Sequence, residues 1–149
     1  MKPSDIQNLV ERRIRSFPEF SGIRIILEHE GDIETKIDSA LKTAGGDCKP
    51  GVALVIGTAS GSIRQLQAAR LVIDPLNVSI TAVECALFNK PPNGTGRRAG
   101  DLAVLAAAAL IGWTPDGCGR PMGSSSGNNV KEAGNEKGDA AASVVLSTS

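Results

Sequence analysis

Hydrophobic positions change their period several times along this chain of 149 residues, and each change marks an element. Ile6, Leu9, Val10, Ile14 and Phe17 recur at three- and four-residue intervals, which gathers them on one helix face while Glu11, Arg12 and Arg15 point away. Ser4 and Gln7 have the spacing of a capping box, and Pro18 stops the helix. In "GIRIILEHE" the period falls to two: Ile23, Ile25 and Leu27 alternate with Arg24, Ile26 and Glu28, as in a half-covered strand over 22–29. A second helix is expected next, with Gly31-Asp32 as its cap, Ile33, Ile37, Ala40, Leu41 and Ala44 on one stripe, and Gly45-Gly46 as its exit. The unbroken apolar run "GVALVIG" at 51–57 reads as a central strand covered on both faces.

Residues 63–75 carry a mixed signal. Ile63, Leu66 and Arg70 suit a helix, but "LVIDP" is extended, so a strand centred on Leu71–Ile73 is expected. "LNVSITAVECALFN" is the longest strand signal, with Val78, Ile80, Ala82, Ala86 and Phe88 on one face and Ser79, Thr81, Val83, Cys85 and Leu87 on the other. Asp74-Pro75-Leu76-Asn77 supplies a turn, which predicts a hairpin between these two strands. From Arg97 to Ile111 a helix carries Leu102, Leu105, Ala106, Ala109 and Leu110 towards a partner surface, and Gly112 with Pro115 ends it. The polar stretch 123–140 reads as a loop, because it has almost no apolar residue to offset its own ordering. Val144, Val145 and Leu146 restore strand propensity at 141–149. The expected architecture is a single α+β domain over 1–122 followed by that loop and a terminal strand. A mainly antiparallel sheet of four to five strands is flanked by two to three helices.

Composition narrows the function classes. Sixteen basic and sixteen acidic residues cancel, so there is no broad electrostatic footprint for sequence-specific nucleic acid or for an anionic membrane. Aromatic residues make up 3%, too few for base-stacking platforms. No long apolar run and no hydrophobic leader is present, so the chain is expected to stay in the cytoplasm where it is made. Cys48, Cys85 and Cys118 lie far apart and form no CxxC pair, which predicts unbonded thiols and no zinc site.

The chemical motifs mostly reduce to structure. Gly94-Thr95-Gly96-Arg97-Arg98 sits between a strand and a helix, where a phosphate cradle would sit. Its next glycine, Gly100, misses the dinucleotide spacing, and a hairpin stands where a βαβ unit is needed, so the turn reads as a loop entering a helix with Thr95 or a neighbour as cap. "GTASGS" at 57–62 lacks the lysine and hydroxyl pair of a nucleotide loop. His29 is the only histidine, which excludes a multi-histidine centre, and it reads as a solvated surface residue. Glu84 interrupts an apolar strand face, so it is expected near the strand end, paired with Arg97 or Arg98, or at a subunit contact. No catalytic, cofactor or metal residue is assigned.

Val83-Glu84-Cys85, the loop from Asn89 to Gly96, and Leu110-Ile111-Gly112-Trp113-Thr114-Pro115 together resemble the tail terminator or tail-completion proteins of tailed bacteriophages. The resemblance spans roughly 80 residues in the middle of the chain and is one of pattern. The polar segment after Met122 departs from it. It implies a virion structural protein and no cofactor. Copies would form a hexameric ring that ends tail-tube polymerisation, contacting the tail tube protein and the head–tail connector protein. Glu84, Asn89, Arg97 and Arg98 are the candidate interface residues under that resemblance. Two alternatives stand beside it: another neck or connector component, and a small phosphate- or nucleotide-binding enzyme using the NGTGRR loop.

Overall fold

A computed structural model describes residues 3–59, 63–66, 70–73, 76–85, 87–92, 94–118, 121–124, 131–134 and 139–148. The fold is α+β. Helices α1 (Pro3–Arg15), α2 (Ile33–Lys42) and α3 (Ala99–Leu110) flank a mixed sheet. The strands are β1 (Arg24–Leu27), β2 (Val52–Ala59), β3 (Ile63–Leu66), β4 (Arg70–Ile73), β5 (Leu76–Cys85), β6 (Gly123–Ser124), β7 (Lys131–Gly134) and β8 (Asp139–Thr148). The main sheet runs β1-β2-β5-β8, and β8 is also paired by β6 and β7. Among the described strands of this sheet only β1 and β2 pair in parallel, and α2 is the crossover that such a pair requires.

Register explains the two faces. Opposite one another stand Leu54 and Ala82, Ile56 and Ile80, then Ile80 and Val144, and Val78 and Leu146. All seven are buried, and they form one core with Ile6, Val10 and Ile14 of α1 and Leu102, Ala106 and Leu110 of α3. Each large side chain in it, such as Leu102, contributes about 1.5–3 kcal/mol by leaving water. The alanines of α3 let that helix approach the sheet closely. On the other face Ile26, Ala53 and Ala40 meet beneath Ile33 and Ile37 of α2. The run "GVALVIG" is thus covered on both sides, as its composition requires.

Several local expectations are corrected. The expected hairpin does not form: β4 pairs with β3, and β5 pairs with β2 on one edge and β8 on the other. The ten-residue β5 finds longer partners in those two strands, and burying Val78, Ile80 and Ala82 on one face fixes that choice. β3 and β4, which follow β2 and precede β5 in the chain, form a separate two-stranded sheet where a single strand was expected. Strand β5 stops at Cys85, because the Phe88 and Asn89 amides both donate to the Cys85 carbonyl and turn the chain. The segment expected as a loop contributes β6 and β7, and the final strand begins at Asp139 and lies inside the sheet. Asp74-Pro75, Ala86, Asn93, Ser60–Ser62 and 125–130 lie outside the described residues.

Helix ends also differ from the sequence pattern. α1 starts at Pro3, and Gln7, 2% exposed, makes no capping box: its Oε1 accepts the His29 amide at 3.0 Å. His29 sits in a 3-10 turn and not on a strand; it is exposed, with Nε2 3.2 Å from Asn8 Oδ1. Asp32 precedes α2 in the left-handed region, φ 53°, and serves it through its carbonyl, not its carboxylate. α2 closes at Thr43, ahead of the expected glycine exit.

Arg13 fastens α1 to the end of α3. Its Nε donates to the Ala109 carbonyl at 3.1 Å, and its guanidinium lies 5.0 Å from the Phe17 ring centre and 5.8 Å from that of Trp113. A cation at a helix C-terminus is favourable, and so is one over an aromatic face. Arg13→Ala is expected to cost about 1–2 kcal/mol. Denaturant unfolding followed by Trp113 fluorescence measures it, and an unchanged midpoint would contradict the assignment.

Candidate subunit-interface loop

The segment from Cys85 to Ala99 is held by two buried polar side chains, Glu84 at 4% exposure and Asn89 at 7%. Strand alternation turns Glu84 to the same face as Ala82, and hence beneath the first turn of α3. There its Oε1 accepts the Ala99 amide at 3.1 Å and Arg98 Nε at 3.2 Å, and its Oε2 accepts Asn89 Nδ2 at 3.2 Å. Asn89 is bonded on both sides of its amide. Nδ2 also donates to the Arg97 carbonyl at 2.6 Å, and Oδ1 accepts the Thr95 hydroxyl at 3.1 Å and the Gly96 amide at 3.2 Å.

The backbone is shaped to fit. A Cβ on Gly94 would lie 2.5 Å from the Phe88 carbonyl oxygen and 2.7 Å from Asn89 Cα, so only glycine lets the loop cross itself here. Thr95 does not cap α3; its hydroxyl accepts the Arg97 amide and so turns the chain towards the helix. Arg98 holds the N-cap position without a side-chain cap of its own, and the carboxylate that serves the helix arrives from β5. The peptide between Pro91 and Pro92 is cis.

This geometry decides what the Gly94–Arg98 turn can accept. A helix N-terminus attracts anions through free amides and the helix dipole. At α3 a protein carboxylate already accepts the Ala99 amide, and an incoming phosphate would meet its negative charge. Arg98 contributes mainly direction, since its side chain is 73% exposed and surface ion pairs stabilise little.

Of the four candidate residues, Glu84, Asn89 and Arg98 are joined by direct hydrogen bonds, and Arg97 enters through its carbonyl. Glu84 and Asn89 form the buried frame, whereas the Arg97 and Arg98 side chains are exposed, that of Arg98 reaching back to Glu84 through its Nε. Sequence reasoning missed Gly51, which lies under Asn89. Its one signal was a glycine between Pro50 and the strand. Beside the loop, Lys42, Ala44, Pro50, Leu87, Phe88, Lys90 and Pro91 line a groove at the C-terminal end of α2. Among the described residues no helix is long and apolar enough to cross a membrane, and no cluster of three His, Cys, Asp or Glu side chains could hold a metal. No protein-family model matches the chain, and no curated protein matches it.

Proposed function

We propose that this chain is a structural virion protein, a tail terminator whose copies close into a ring at the end of the tail tube. The observation that carries the reading is the use made of Glu84. The strand, loop and helix that resemble the phage family form one continuous unit, and its buried carboxylate is spent on holding the loop to the helix. A loop braced in this way is a rigid surface feature, suited to contacting another subunit. Its partners under this reading are further copies of the chain, the tail tube protein and the head–tail connector protein, and its place is the virion tail or neck. The phosphate-binding alternative is disfavoured by the same carboxylate, which holds the first amide of the helix end such a ligand would use and places a like charge there.

Sedimentation velocity over a concentration series tests the reading. A discrete oligomer at a fixed multiple of the chain mass is expected, growing at the expense of monomer. A strictly monomeric chain at high concentration would contradict it.

A further inference from the structure

Among the described residues the exposed large hydrophobic side chains are Leu87, Phe88, Val104 and Ile111, and they fall into two separate patches. Val104 and Ile111 are seven positions apart on or just after α3, so with exposed Asp101 they line one stripe. Residues 102, 103, 106, 109 and 110 take the sheet side of that helix, which turns the stripe to solvent. Leu87 and Phe88 line the groove beside Lys42, Ala44 and Lys90. That groove belongs to the end of α2, and α2 and α3 cover opposite faces of the sheet. The two patches therefore cannot meet within one chain.

They are matched in character. One is a stripe of two apolar side chains with an acidic end; the other is a groove of mixed lining that exposes Leu87 and Phe88 beside lysines, of which Lys42 already pairs with Asp38 at 2.9 Å and Lys90 is exposed. Two different complementary patches on one chain make a head-to-tail contact, which closes into a ring when the rotation allows. We infer that the α3 stripe of one copy seats in the Leu87–Phe88 groove of the next, with Asp101 placed against Lys90. This inference rests on the self-assembly reading above and names the surface that reading requires. Burial of four apolar side chains supplies the attraction, and the charges set the direction of the contact.

The test is a charge swap read by sedimentation velocity. K90E and D101K alone are each expected to raise the concentration for half-assembly by roughly ten-fold, the effect of one like-charge contact. Combining both substitutions in one chain restores assembly, and so does mixing the two single variants, which misfolded chains could not do. V104E, at a site 54% exposed, weakens assembly without lowering the melting temperature. If the unaltered chain assembles and all these variants assemble equally well, the contact is wrong and the ring reading stands. If the unaltered chain stays monomeric, both fall.

Discussion

Gly51→Ala is expected to destabilise the chain by on the order of 3–5 kcal/mol, the sum of a backbone penalty and an overlap penalty. Gly51 has φ +100°, a region that side chains with a Cβ rarely adopt. A Cβ there would stand 2.5 Å from Asn89 Cα, 2.6 Å from Asn89 N and 2.7 Å from the Phe88 carbonyl carbon. None of these is the end of a flexible side chain, so the loop itself would have to move. The Gly51 carbonyl also accepts the Cys85 amide at 2.8 Å, which ties the start of β2 to the end of β5. Moving the loop lifts Asn89 away from Glu84, and the loss extends to the first turn of α3. Equilibrium denaturation measures the effect. A change below about 1 kcal/mol, the size of an ordinary point substitution, would refute the close approach.

Glu84→Ala is expected to cost about 2–4 kcal/mol, because it leaves the Ala99 amide and one Asn89 proton without partners in a buried place. The exposed Arg98 recovers water and adds little to that figure. Glu84→Gln separates shape from hydrogen bonding. Its amide oxygen still serves Ala99, but its NH2 group faces Asn89 Nδ2, donor against donor. Asn89 cannot turn its amide to help, since its Oδ1 accepts from Gly96 and Thr95. A loss of about 1 kcal/mol is expected for Gln, between wild type and Ala. Denaturation of the three proteins checks the order, and equal stability of Ala and wild type would remove Glu84 as the brace of the loop.

The parts of the fold that were legible in the sequence are those where burial writes a period. Ile6, Val10 and Ile14 announce α1, and Val78, Ile80 and Ala82 announce the inner face of β5. Pairing was less legible, because alternation identifies a strand and not its neighbour. Leu71–Ile73 and Val78–Ala82 are adjacent in sequence, yet β5 finds β2 and β8 while β4 finds β3. Short polar strands such as Lys131–Gly134 carry no period at all, and their place is set by β8 beside them. In the loop, Glu84 stood out as a charge on an apolar face, and pairing with Arg98 was among the readings that followed. Its bond to the Ala99 amide was not readable, since it joins residues fifteen apart through the crossing of a strand end and a helix start. The roles of Gly51 and Arg13 depend likewise on close approach between distant segments.

Under the proposed function this chain joins copies of itself, with the braced loop as part of the joining surface. Electron microscopy of the purified protein tests it most directly. Closed rings with a central hole are expected, uniform in the number of copies. Solitary compact particles at high protein concentration would contradict it.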